Sequence, residues 1–184
     1  MKIIIAGAGA VGTHLAKLLS REKQDIILMD DNEERMSTLS SNFDLMTVTA
    51  SPTSIKGLKE VGVGEADLFI AVTPDESRNI TACMLATNLG AVKTVGRIDN
   101  YEYLLPKNKE FFQKLGVDSL IYPEMLAAKE IVSSIRMSWV RQWWEFCGGA
   151  LILIGAKMRE KAEILDIPCL LYTSDAADDL LCVD

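Results

Sequence analysis

The chain has 184 residues, 19 basic against 26 acidic, a formal net charge of −7 and a single histidine, His14. This length fits one domain, or one domain plus a fragment, and a core of that size buries about 70% of the unfolded surface without a disulfide or metal. A hydrophobic content of 49% with 24% charge excludes a disordered chain, and the acid excess argues against a nucleic-acid partner, which calls for a basic face.

Short β-branched runs alternate with amphipathic stretches from the first residues. Lys2-Ile3-Ile4-Ile5-Ala6 reads as a strand apolar on both faces, as a parallel sheet covered by helices requires. Val11, Leu15, Leu18 and Leu19 follow at helical spacing. Asp25–Asp30 is a second strand, after which Asn32 is placed to cap a helix with Glu33 and Glu34 in its first turn. Leu45–Thr49 is the third strand, and a short helix over about Ser54–Val61 leads to the fourth, Asp67–Thr73.

The second half repeats the theme. A helix over about Asp75–Leu89 ends at Gly90, Val92–Arg97 is strand five, and a helix over about Tyr101–Leu115 stops at Gly116. Ser119–Tyr122 is a short sixth strand, and Pro123 opens a helix to about Met137. This alternation predicts an α/β, Rossmann-like, doubly wound parallel sheet of six strands in the order 3-2-1-4-5-6. Near Ser138 the rhythm changes. Trp139, Trp143 and Trp144 crowd together, fitting either an interface anchor or the packing of the last helix onto its own domain. Cys147-Gly148-Gly149 and a strand-like run, Ala150–Ile154, then follow.

Gly7-Ala8-Gly9-Ala10-Val11-Gly12 directly follows the first strand and opens the first helix. In such a motif the first glycine makes the tight turn, the second lets a pyrophosphate approach the backbone, and the third allows close helix–strand packing. Helix-start N–H groups then bind the anion. Asp30, 18 residues after Gly12 at the end of strand two, fits the acid that accepts from an adenosine ribose and disfavours a 2′-phosphate; the plainer alternative is that Asp30 or Asp31 caps the next helix. NAD(H) is therefore expected, with ATP or ADP sharing the ribose. Thr73 and Arg97 end strands four and five, where ligands bind in open sheets. Arg97 suits a phosphate, or else an ion pair with Asp99 or Asp75.

Catalytic groups are not in evidence. His14 sits at the pyrophosphate end as a partly exposed helix residue, and Tyr101, Tyr103 and Tyr122 lack a Tyr-x-x-x-Lys partner. Binding without chemistry is expected, with a small NAD-dependent oxidoreductase as the alternative. Cys83, Cys147, Cys169 and Cys182 form no Cys-x-x-Cys pair and read as buried or incidental thiols. The start lacks a secretory signal, and Ala150–Ile154 falls far short of the ~20 residues that span a bilayer. A cytoplasmic protein is expected.

Ile4 to Gly12, Ile27-Leu28-Met29-Asp30, Ala66 to Glu76 and Asn79-Ile80-Thr81-Ala82-Cys83 together resemble the TrkA family, whose members are built from RCK N-terminal (KTN) domains and serve bacterial Trk potassium uptake systems. The likeness covers about residues 1–137, and Ala71-Val72-Thr73-Pro74-Asp75-Glu76 with Asn79 is more specific than the glycine loop. It implies a non-enzymatic regulatory subunit that binds NAD(H) or ATP/ADP. As a homo-oligomer, dimer or tetramer, it would control a membrane potassium-translocating subunit from the inner face of the plasma membrane. The regulatory domain of another potassium transporter or antiporter is a further alternative. By position, Gly7, Ala8, Gly9, Ala10 and Val11 with Gly12 would hold the pyrophosphate and Asp30 the ribose. Thr73 would line the cleft, and Arg97 would lie near the nucleotide or a subunit interface. The family's Gly-Asp-Ala-Thr-like turn after strand three is replaced here by Thr49-Ala50-Ser51-Pro52-Thr53, where Ala50 and Ser51 are left to serve through backbone groups.

The expected organisation is a nucleotide-binding domain over 1–137, a hinge over 138–149 and the truncated start of an RCK C-terminal lobe over 150–170. Residues 171–184 hold four acids and no base. They resemble translated adapter read-through and are expected to be a non-native tail.

Overall fold

The structure, a computed structural model, describes residues 1–22, 24–42, 46–136, 142–147 and 150–155. Trp139, Cys169, Cys182 and the expected tail over 171–184 lie outside the described residues. Two compact units divide at Ala127/Ala128, inside the sixth helix.

The first unit is the predicted sheet. Its strands are β1 (Lys2–Ala6), β2 (Asp25–Asp30), β3 (Met46–Thr49), β4 (Leu68–Ala71), β5 (Thr94–Arg97) and β6 (Ser119–Ile121). All pair in parallel, in the order β3-β2-β1-β4-β5-β6. The order reverses between β1 and β4, and it is there that an open sheet of this kind leaves a crevice at its carboxyl edge.

Side chains alternate along a strand, so β1 feeds two cores at once. Ile4 and Ala6 join Ile27, Met29, Phe69 and Ala71 on one face, with Leu58, Ala82, Cys83, Ala86 and Phe112 from the helices packed over them. Ile3 and Ile5 join Ile26, Leu28 and Ile70 on the other, covered by Ala16, Met36 and Leu39. The helices are α1 (Ala10–Ser20), α2 (Glu33–Asn42), α3 (Ile55–Glu60), α4 (Glu76–Asn88), α5 (Pro106–Lys114) and α6 (Pro123–Arg136). Burial drives the Cys83 thiol up to about 12, so it behaves as a small hydrophobe. Cys147, by contrast, is exposed.

The stretch read as one helix over Tyr101–Leu115 is two pieces: a 3-10 turn at Tyr101–Leu104, then α5 starting at Pro106. Proline pushes its predecessor out of the helical region, and Leu105 is accordingly extended, at φ −61° and ψ 143°. In the second unit β7 (Gln142–Phe146) and β8 (Leu151–Gly155) form an antiparallel pair, with Trp143 opposite Ile154 and Phe146 opposite Leu151. Trp143 and Trp144 lie on a strand, in keeping with the strand preference of aromatic residues. No helix among the described residues is long and apolar enough to cross a membrane.

Candidate functional site

The glycine turn between β1 and α1 is fixed by three different constraints. Gly7 has φ +110°, and a Cβ there would lie 2.9 Å from the Thr73 nitrogen, so only glycine fits against the end of β4. A Cβ on Gly12 would lie 1.8 Å from the Gly7 carbonyl oxygen, which presses the first turn of α1 onto the loop itself. Gly9 differs. A Cβ there would meet nothing within 4 Å, and the backbone has an ordinary φ of −72°. Gly9 is the N-cap of α1, and no side chain caps it, which leaves helix-start N–H groups without an intrahelical partner.

Asp30 closes this turn from below. The Ala8 N–H donates to its Oδ2 at 2.6 Å and the Asn32 N–H to its Oδ1 at 2.9 Å, while the Arg35 Nη1 lies 3.5 Å away. The carboxylate is buried, yet the capping of α2 falls to Asn32, whose Oδ1 accepts from the Arg35 N–H at 2.8 Å. Asp30 thus touches the loop rather than capping the helix. The Ala50 N–H donates to the Asp30 carbonyl at 2.9 Å, which brings the turn after β3 alongside. Ser51 contributes its side chain: its Oγ lies 3.1 Å from that of Thr53 and accepts from Arg78 at 3.2 Å.

Beside the turn runs an open cleft of about 490 Å³, lined by Ala8, Gly9, Ala10, Thr13, His14, Lys17 and Arg35. Three cationic or titratable nitrogen side chains on its wall suit an anion. His14 is exposed on α1, as expected.

Across the crevice the ends of β4 and β5 are locked by Asn79. This side chain is 1% exposed. Its Oδ1 accepts from the Thr73 N–H at 2.9 Å and from the Thr73 hydroxyl at 2.7 Å, and its Nδ2 donates to the carbonyls of Thr73 and Arg97 at 2.9 and 3.0 Å. Thr73 is buried with its hydroxyl directed inward. The Arg97 guanidinium is held by Asp99 at 3.2 Å and Glu124 at 3.1 Å. Asp75 is committed elsewhere: it caps α4 by accepting from the N–H groups of Ser77 and Arg78.

Gly7 to Gly12, Asp30, Ala50 and Ser51 are therefore brought together. Thr73 adjoins Gly7 through the backbone, and Arg97 joins Asn79 through its carbonyl. Arg78 and Arg35 also border the site, without belonging to the glycine motif or to its acid. Arg78 crosses from the first turn of α4 to pair with Asp31, just after β2, and with Ser51. That guanidinium holds the Asp31 carboxyl below its usual range, mainly by a direct hydrogen bond. A signal was present in the sequence: both arginines occupy the third residue of a helix, where the dipole disfavours a cation and a capping box calls for Glu. No group of three or more His, Cys, Asp or Glu among the described residues is placed to hold a metal.

A parallel sheet of this order, with a glycine-led turn at β1 and an acid at the end of β2, defines a Rossmann-type domain. Residues 3–123 match the TrkA-N domain, and the chain belongs to that family. It is 39% identical over 159 residues to the Trk system potassium uptake protein TrkA of Haemophilus influenzae (strain ATCC 51907 / DSM 11121 / KW20 / Rd), and 35% identical over 158 residues to that of Halomonas elongata. Each match takes in 85% of this chain and 35% of the relative, so the chain spans about a third of the length of these curated relatives. Among solved structures it is similar to the NAD(P)-binding domain of an exopolyphosphatase-related protein from Archaeoglobus fulgidus. The TM-score is 0.62 at 18% identity, covering 73% of this chain and 97% of that one. The GsuK channel bound to NAD (TM-score 0.55, 18% identity, 65% and 21% covered) and GsuK bound to ADP (0.58, 24%, 74% and 34%) share the same fold.

Proposed function

We propose that this chain is the nucleotide-sensing part of a regulatory subunit for a Trk-type potassium uptake system, with NAD(H) as its ligand and ATP or ADP as the competing class. The observation that carries the reading is Gly9. Gly7 and Gly12 are demanded by the chain's own packing, whereas Gly9 faces open space at an uncapped helix start. A glycine there serves something outside the chain, and backbone N–H groups beside a basic cleft suit a phosphate. GsuK, of the same fold, is described with NAD and with ADP.

In this reading Gly7, Ala8, Gly9, Ala10, Val11 and Gly12 hold the pyrophosphate, and Asp30 the ribose hydroxyls. Ala50 and Ser51 border the base, and Thr73 shapes the far wall. Arg97 keeps a donor in hand, since its Nε is buried without a partner among the described residues. The subunit performs no catalysis: it works as a homo-oligomer, peripheral to the cytoplasmic face of the membrane, and acts on a potassium-translocating partner. Control of that partner requires unequal affinity for the ligand in two conformations. The nucleotide-binding domain runs over 1–137, a hinge over 138–149, and 150–170 begin a second lobe, with 171–184 a non-native tail.

Calorimetric titration of the full chain with NADH, NAD, ATP and ADP is the direct test. Binding of at least one pair with unequal affinities is expected, with Asp30→Ala weakening it at least tenfold. Failure of all four ligands to bind removes the reading. Turnover of bound NADH with a carbonyl substrate would move the protein among the oxidoreductases instead.

A further inference from the structure

We propose that Arg78 is a base-stacking residue of this site: its guanidinium, tethered between Asp31 and Ser51 beside Asp30, presents a flat face to the purine of a bound nucleotide. The inference rests on the nucleotide reading above and adds to it the residue that takes the base.

The position of Arg78 is not explained by its own helix. It is the third residue of α4, and a cation in the first turn faces the positive end of the helix dipole. Its guanidinium is instead fastened from outside. Asp31, the residue after Asp30, accepts from Nη2, and the Ser51 Oγ, just past β3, accepts from the same nitrogen at 3.2 Å. Both anchors flank the ribose-holding carboxylate, because Asp31 follows Asp30 directly and the neighbouring Ala50 donates to the Asp30 carbonyl. The guanidinium is thus placed at the carboxyl ends of β2 and β3, alongside the place where a ribose on Asp30 carries its base.

The tether also sets orientation. Guanidinium donors lie in the plane of the group, so the bonds from Nη2 to Asp31 and Ser51 orient that plane and do not themselves occupy its faces. A side chain 28% exposed is held in place and yet reachable. An arginine face stacks on an aromatic ring by combined cation–π and π contact, which needs no hydrogen-bonding edge of the base. The pair therefore selects for a large aromatic face, purine over pyrimidine, and reads little of the purine's edge. A plain surface ion pair between Arg78 and Asp31 would be indifferent to the base, and it would survive replacement by lysine, which keeps the charge and loses the plane.

The experiment titrates the full chain, wild type, Arg78→Lys and Arg78→Ala, with ADP, UDP and inorganic pyrophosphate, and records thermal unfolding of each variant. Wild type should prefer ADP to UDP. Both substitutions should weaken ADP by about tenfold, narrow the gap between ADP and UDP, and leave pyrophosphate unchanged. The Lys variant should melt within about 3 °C of wild type, as expected for a surface pair. Wild-type affinity for ADP in Arg78→Lys overturns the proposal, as does an equal loss for pyrophosphate, which would mark a charge effect. Wild type that binds none of these ligands and no NADH brings down the nucleotide site itself; wild type that binds ADP while Arg78→Lys binds it equally well brings down the stacking alone.

Discussion

The two banks of the crevice are built on opposite principles. On the β4–β5 bank the central polar side chain is turned inward: Asn79, 1% exposed, makes four hydrogen bonds of 2.7 to 3.0 Å to Thr73 and Arg97. On the β1–β2 bank the loop stands open: Gly9 has no neighbour to crowd its Cβ position, and the helix it begins is uncapped. Buried polar atoms must find partners within the chain or lose about 1–3 kcal/mol each, so the first bank is scaffold. Groups left open at a helix start beside a basic cleft are the ones available to a ligand. Polar residues in one crevice thus divide by where their partners come from.

The sharpest way to break this comparison lies within the glycine turn. Gly12→Ala sets a Cβ 1.8 Å from the Gly7 carbonyl, a backbone clash that rotamers cannot relieve, and is expected to cost more than about 4 kcal/mol or to prevent folding. Gly9→Ala, only three residues distant, should change stability by less than about 1 kcal/mol. It should nevertheless weaken nucleotide binding at least tenfold, because the methyl group stands where the phosphate approaches. Urea unfolding and calorimetry on the same samples separate the two effects. Unchanged affinity in Gly9→Ala would mean the anion is held elsewhere.

The other bank should answer in stability first. Asn79→Ala strips partners from the Thr73 N–H and hydroxyl and from the carbonyls of Thr73 and Arg97. A loss of about 2–4 kcal/mol is expected in urea unfolding, with the far wall of the crevice loosened. A loss below about 1 kcal/mol would show that water replaces the side chain without penalty, and that this bank is less closed than its burial implies.

What could be read from the amino acids follows the same division. β1, β2 and β4 declare themselves because both faces of each strand are apolar, and the helix ends at Gly90 and Gly116 because the backbone there takes φ of +114° and +89°. The turn glycines and Asp30 are legible because their spacing is local to one βαβ unit. Pro106 is a local signal for the break at Leu105, and a single helix over Tyr101–Leu115 ignores it. The Trp143-Trp144 pair carried no alternation to mark a strand. Arg78 and Asn79 were hidden for another reason. Arg78 meets partners 47 and 27 residues distant, and Asn79 meets Arg97 18 residues on. Such bridges exist only once the strand order has placed β2 and β3 on one side of β1 and β4 and β5 on the other.

The smallest expected effect tests whether openness alone sets the energy of a contact on the loop bank. Arg78 and Asp31 form an ion pair about as open as those made by Arg97, with side chains 28% and 50% exposed, so solvent screens the attraction. Asp31→Asn should therefore cost less than about 1 kcal/mol at pH 7, against several for Asn79→Ala. Its pH dependence has a definite sign. The folded state holds the Asp31 carboxyl below its ordinary value of 3.8, chiefly through the Arg78 hydrogen bond. The unfolded chain therefore takes up the proton first as pH falls, and the stabilisation is fully present above that value. It is lost progressively below pH 3.8, as the folded carboxylate also becomes protonated. The stability gap between wild type and Asp31→Asn, followed by urea unfolding at stepwise lower pH, should stay level down to about pH 5 and close below pH 4. Adding salt at pH 7 should narrow it as well, since exposed charges are screened beyond about 10 Å at 0.1 M. A gap that widens on acidification, or one that ignores salt, would show that Asp31 acts through something other than Arg78. The tether that holds the Arg78 plane would then have to be sought at Ser51 alone.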